Sequence, residues 1–163
     1  MKEELPFREI NEYPASINAP NMIVRMLDGL GFRFYWATED LLLKDYAFPF
    51  SPDGKSIHDI VKHIWGLAYW MSIHVLHLQY KRPEDDYDLR KEILLIIQML
   101  RDEFANMDET KLESIQIENQ PFWHLINGPI EDAVSHTGQI NVLRRIAGNP
   151  PIELNPFLGI APK

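Results

Sequence analysis

Cysteine is absent from the 163-residue chain. Disulfides, thiolate metal ligands and a cysteine nucleophile are therefore excluded, and any thiol chemistry must draw on an external thiol. Long apolar runs are missing too: no uninterrupted stretch approaches the ~18–20 residues that span a bilayer. Basic residues are the minority, 16 Lys and Arg against 24 Asp and Glu, for a formal net charge of −8. A chain of that sign repels phosphate backbones, so no nucleic-acid partner is expected. The basic pairs Lys81-Arg82 and Arg144-Arg145 are too short to reverse this. The opening Met1-Lys-Glu-Glu4 lacks the basic start and apolar run of a secretory signal. With no membrane segment either, the expected location is the cytoplasm.

What is present suits one domain over residues 1–163. Hydrophobic residues make up 45% of the chain and aromatics 11%, enough for a single sizeable core. Residues 1–19 read as an extended arm. Asn18 or Ala19 then caps a first helix with Pro20 in its opening turn, spanning about 20–45. Its apolar positions Ile23, Met26, Leu27, Leu30, Phe34 and Leu41 recur at helical spacing. Gly29 and Gly31 weaken it, or permit a close helix crossing. Phe48 to Lys55 is turn-rich, with Pro52-Asp-Gly54 as its signal. Ser56 and Asp59 resemble a capping arrangement and begin a second helix, about 56–80, with Ile60, Ile64, Leu67, Met71, Val75 and Leu78 on one face. Pro83 and Glu84-Asp-Asp86 end it.

A third helix, about 88–107, carries Ile93, Ile96, Ile97, Leu100 and Phe104. Residues 108–120 hold at most a short helical turn. Asn127-Gly-Pro129 opens a fourth helix, about 128–147, with Asn127 or Gly128 as cap. Arg144 and Arg145 suit its negative end, and Gly148 and Pro150-Pro151 terminate it. The tail is expected to pack back on the bundle. Four amphipathic helices, no alternating strand and no internal repeat predict an all-α four-helix bundle with an irregular C-terminal tail.

One stretch carries chemistry. Asp132 and His136 are four residues apart and so share a helix face, at a spacing that lets two side chains hold one divalent ion. Val142, Leu143 and Ile146 lie on or beside the core face, which turns the pair inward. A buried carboxylate needs a cation or a metal. Gly138, costly in a helix interior, is explained if another helix or a ligand approaches there. His63 on the second helix supplies a third ligand if the fold joins the two helices. His74 and His77 lie on the order of 16–21 Å further along at 1.5 Å per residue, and cannot share that metal. His58 faces elsewhere in its first turn. His124 sits before the fourth helix, near the site mouth or in a structural role. Trp65, Trp70 and Trp123 read as core aromatics, with Trp70 placed to wall the site.

The residues just quoted resemble the DinB-like (DinB/YfiT) four-helix-bundle family. The resemblance rests on Ser56 to Ile64 (Ser-Ile-x-Asp-Ile-Val-x-His-Ile), on His136-x-Gly-Gln-Ile140, on Leu143-Arg-Arg145, and on the Pro/Gly break that follows. It covers roughly residues 20–150, and the fourth-helix signature is the specific part. Such proteins bind a divalent metal, often nickel or zinc, through one helix-two histidine and a His-x-x-x-His pair on helix four. The resemblance thus implies His63 and His136 as ligands. Position 132 departs from the pattern, being aspartate in place of the middle histidine. A His₂Asp set still suits Zn²⁺, Ni²⁺, Mn²⁺ or Fe²⁺. The departure also resembles a subgroup whose helix four begins Asn-Gly-Pro and for which no activity is implied. Gln139 is placed to orient a ligand.

Two functions follow as expectations. One is a metal-dependent thiol transferase or hydrolase acting on a small electrophile, with a small thiol such as mycothiol, bacillithiol or glutathione as co-substrate. The alternative is a non-catalytic, small-molecule-binding or dimerising bundle with a vestigial metal site. A homodimer is expected in either case. A role in DNA-damage response through nucleic-acid contact is opposed by the charge.

Overall fold

Asn18 starts the first helix, α1 (Ala19–Thr38): its side chain accepts a hydrogen bond from the Asn21 N–H at 2.9 Å, and Pro20 needs no such bond. In the computed structural model, residues 4–10, 12–49, 51, 53–79, 81–84, 88–117 and 120–162 are described. α1 is followed by α2 (Leu43–Tyr46), α3 (Ile57–Met71), α4 (Leu89–Ala105), α5 (Glu109–Glu113), α6 (Trp123–Leu125) and α7 (Glu131–Ile146). A π-helical turn extends α3 over Ser72–Leu76, and another joins α6 to α7 over Ile126–Ile130. Among the described residues there is no strand, only two isolated bridges, Pro49–Ser56 and Ile117–Gln120.

The expected first helix, about 20–45, is cut at Thr38. Glu39 turns extended and Asp40 adopts φ +56°, so α2 is a separate short helix. The cause lies far along the chain. Arg144, only 3% exposed, donates from Nη1 to the carbonyls of Ala37 at 2.9 Å and Glu39 at 2.8 Å. Arg90 donates to Thr38 Oγ1 at 3.0 Å and pairs with the Glu39 carboxylate. Carbonyls left open at a helix end need such partners. Arg144 therefore serves the C-terminus of α1 as well as the end of its own helix, where its Nε donates to the Asn149 carbonyl at 2.9 Å.

The second helix begins as expected. Ser56 Oγ accepts from the Asp59 N–H at 3.2 Å while Asp59 accepts from the Ser56 N–H at 3.0 Å. It ends early, at His77, which adopts φ 55° after the π turn; Leu78 is exposed rather than packed. The expected stop at Tyr80 and the Asp85-Asp86 pair lie outside the described residues, as do Phe50 and Pro52 of the turn-rich segment 48–55. The third and fourth helices lie close to expectation, at α4 and α7. Asp108 caps the short α5. The Asn127-Gly-Pro129 segment is not a cap but the π turn, kinked at Gly128.

α1 and α3 each pack chiefly against α4 and α7. Asp28 bonds Arg101 at 3.2 Å and Thr38 bonds Arg90, so α1 and α4 run antiparallel. α7 runs parallel to α1: Ile130 shares a cavity with Arg25, and Arg144 reaches Ala37. α3 is antiparallel to α7, with Trp70 level with Asn127 and Ile60 level with Leu143. The order is thus up-down-down-up, and α3 faces α7 directly. One buried cluster runs through all four helices, including Leu27, Phe34, Ile64, Ile97, Phe104 and Ile140.

The N-terminal arm folds back instead of extending. Phe7 packs on α1 where Gly31 leaves room: a Cβ there would sit 2.4 Å from its ring. That glycine admits the arm, not another helix. Trp36 Nε1 donates to the Arg8 carbonyl at 3.0 Å, and the Ile10 N–H donates to the Gly159 carbonyl at 2.7 Å. The tail packs back as expected through Leu154 and Ala161. Trp65 and Trp70 pack against the core, half-buried, but Trp123 is 69% exposed and is not a core aromatic.

Candidate metal centre

α3 presents His63 about two turns past its N-cap Ser56, and α7 presents Asp132 and His136 on consecutive turns. Because the two helices face each other, the three side chains converge. His63 Nε2 lies 2.9 Å from Asp132 Oδ2. His136 Nε2 lies 3.4 Å from Asp132 Oδ1. The imidazole rings of His63 and His136 meet edge to face, with centroids 4.5 Å apart. One nitrogen or carboxylate oxygen from each residue falls within 4.8 Å of the others. In a tetrahedral site with bonds of about 2.0–2.1 Å, ligand atoms sit roughly 3.4 Å from one another. These residues therefore fit a divalent ion, and the carboxylate offsets its charge.

The pair on α7 is not turned into the core. Val142 and Ile146, expected to help bury it, are both exposed, while Leu143 is buried. The side chains of His63 and Asp132 are 38% and 43% exposed, and that of His136 is 13% exposed. The centre is a half-open seam, reachable from outside. Gln139, one turn past His136, points its Oε1 at His136 Nδ1 at 2.9 Å. In the tautomer with the proton on Nδ1, Gln139 accepts that proton's hydrogen bond and the Nε2 on the Asp132 side is left free to ligate, the arrangement that ligating histidines use. Gly138 has no atom within 4 Å of where a Cβ would stand, so the close approach expected there is absent.

A cavity of about 960 Å³ opens beside the triad, lined by His63, Gly66, Leu67, Trp70, His124, Asn127, Glu131, Asp132 and Ser135 among others. His124 and Trp70 thus share the cavity with His63 and Asp132. Glu131, next to Asp132, was not singled out from the sequence, and Asn127 reads there only as a helix cap and as part of the Asn-Gly-Pro segment. His74 packs against Trp70, with ring centroids 4.4 Å apart, and His77 is exposed beyond it. His58 meets Tyr46 edge on at 6.3 Å. A second cavity of about 1000 Å³, lined by Met22, Leu112, Phe122 and Trp123 among others, contains none of His63, Asp132 and His136.

Electrostatic partners away from the seam serve the scaffold. Burial pushes the Asp28 carboxyl above its ordinary range, against the pull of Arg101 and Arg25. Burial likewise lowers the Arg144 guanidinium.

The crystal structure of a DinB-like protein, YjoA from Bacillus subtilis, superposes on this chain with a TM-score of 0.59, covering 82% of this chain and 96% of that one. The fold is DinB-like. Sequence identity over the match is 14%. No protein-family profile matches the chain, and no curated protein matches it. Within this DinB-like fold, the two segments that carried the resemblance, Ser56–Ile64 and His136–Arg145, lie on the facing helices α3 and α7. No helix among the described residues is long and apolar enough to cross a membrane.

Proposed function

We propose that this DinB-like chain binds one divalent ion, zinc or nickel, through His63, Asp132 and His136, and uses it to activate a small nucleophile against a small electrophile. The observation that carries this is the convergence of two imidazole nitrogens and a carboxylate from facing helices at the edge of an open cavity. The ion, when bound, lowers the pKa of a thiol or water so that a nucleophile forms near neutral pH. Having no cysteine, the chain takes the thiol from solution, as a thiol transferase would; with water the same site is a hydrolase. His63 and Asp132 hold the reacting end of the cavity from α3 and α7, and Gln139 fixes the ring of His136. His124 and Glu131 line the same cavity and are the chain's own groups for accepting the nucleophile's proton and returning one to the leaving group.

Elemental analysis of untagged protein tests this, with a His63→Ala/His136→Ala double variant beside it. Near-stoichiometric metal that disappears in the variant supports the reading. Absence of metal after incubation with zinc, nickel or manganese overturns it.

A second reading, a dimerising or ligand-binding bundle with a vestigial site, draws on a different observation. Val142 and Ile146 on α7 and Phe157, Leu158 and Ile160 in the tail are all exposed. Val142 and Ile146, four residues apart on one face of α7, are the candidate homodimer contact. Sedimentation of wild type against Val142→Lys/Ile146→Lys distinguishes the cases: a dimer that dissociates in the variant supports that contact. The half-open seam and net charge of −8 fit a small-molecule partner and not a nucleic acid.

A further inference from the structure

Gly66 stands in the middle of α3, where glycine is destabilising relative to alanine. Its neighbourhood offers no structural reason for it. The backbone there is helical, and a Cβ at this position would meet no heavy atom within 4 Å beyond its chain neighbours and the surrounding helix backbone. Gly31 on α1 shows the contrast, since a Cβ there would collide with the Phe7 ring at 2.4 Å. Space, not backbone conformation or packing, is what Gly66 supplies.

That space has a definite place. Gly66 lies three residues past His63 and four before Trp70, so all three share one helix face, and all three line the cavity beside the triad. Trp70 is half-buried and braced by the His74 ring at 4.4 Å. From the other side Gly128 also lines the cavity, and a Cβ there too would meet nothing within 4 Å. Immediately beyond His63, then, the cavity has bare backbone from two elements and an indole ring at its end. A surface of that kind favours a flat group, because an aromatic ring gains most from another planar π-system laid against or edge-on to it.

We infer that this cavity takes substrates bearing a planar aromatic or conjugated group next to the atom that reaches the triad, with Gly66 and Trp70 setting that specificity. The inference rests on the metal-site reading above. It makes Gly66 a determinant of substrate shape and Trp70 the stacking wall.

The test uses two metal-anchoring probes with the same head, acetohydroxamate and benzohydroxamate, titrated into zinc- or cobalt-loaded full-length protein whose metal content has been measured first. Calorimetry, or the visible spectrum of the cobalt form, reads binding. Wild type is expected to bind the ring-bearing probe at least ~10-fold tighter, the scale of one aromatic contact. Gly66→Ala and Trp70→Leu should each erase that advantage and leave acetohydroxamate affinity and metal content unchanged. Gly66→Ala should also raise Tm by ~2–4 °C, as replacement of an unneeded helix glycine does in a chain of this size. If wild type shows no preference for the ring, or the preference survives in Gly66→Ala, the inference fails while the metal site stands. A fall in Tm for Gly66→Ala would reveal a structural role for the glycine and overturn the inference in the same way. Wild-type protein that takes up no metal would overturn the metal reading and this inference with it.

Discussion

His63 Nε2 lies 2.9 Å from Asp132 Oδ2, across 69 positions of sequence. The same carboxylate reaches His136 through its other oxygen, so Asp132 stands between the two imidazoles as the pivot of the seam. Its position corresponds to the middle histidine that the DinB-like resemblance implies, and the shorter, anionic side chain still brings an oxygen within reach of both partners. The consequences can be measured one residue at a time.

Each of His63→Ala, Asp132→Ala and His136→Ala should strip the protein of bound metal, whereas His74→Ala and His77→Ala should keep it. Asp132→His, which makes a His-x-x-x-His pair with His136, should keep it as well. Metal content by elemental analysis is the readout, and equal content across all six variants would dismantle the proposed ligand set.

The Gln139 side chain hydrogen-bonds to His136, so its effect on the metal should pass through that ring. Gln139→Leu is expected to weaken metal affinity ~10–100-fold, the usual cost of losing a group that orients a ligating histidine. Gln139→Glu, which still accepts from Nδ1, should retain most of it. Competition against a chelating dye measures both, and an unchanged affinity in the leucine variant would make Gln139 an ordinary surface residue.

Arg144→Met should destabilise the fold by about 3 kcal/mol or more, because the carbonyls of Ala37 and Glu39 lose their donor in a buried place. Arg144→Lys, with one charged head in place of a fork, should recover only part of that loss. Urea unfolding gives the magnitude. Metal content of the folded variants should stay at the wild-type level, since Arg144 lies at the far end of α7 from the seam.

Asp45 gives the acid dependence a sign. Burial pushes its carboxyl up, but the Asn149 side-chain amide at 2.6 Å and the Leu42 N–H at 2.9 Å, with Lys44 and Arg144 nearby, outweigh burial and hold it below its ordinary 3.8. The folded state therefore binds a proton less readily than the unfolded chain. Its contribution to stability is complete above about pH 4 and is lost as pH falls through the lowered folded value. Asp45→Asn should flatten the acid side of the stability curve, read as urea midpoints from pH 6 downward. A variant with the wild-type slope would show that other carboxylates govern it.

Local features of the fold were legible in the chain. The Asn18 cap, the Ser56–Asp59 capping box, the buried stripes of α1, α3 and α4, and the pairing of Asp132 with His136 each arise within one or two helical turns, where hydrogen-bond partners and side-chain spacing are set by neighbours in sequence. Where expectation and structure parted, a distant residue was responsible. α1 stops at Thr38, where Arg144 and Arg90 take the carbonyl, hydroxyl and carboxylate groups at its end, and Gly31 is matched to Phe7 of the folded-back arm. Trp123, Val142 and Ile146 face outward because they fall outside the one core that four helices can share. The sequence by itself determined an all-α chain with two candidate ligands on one helix face. Only the tertiary structure decided that His63 joins them, since the up-down-down-up order sets α3 directly against α7, and helix order depends on how whole apolar faces pack rather than on any local hydrogen bond.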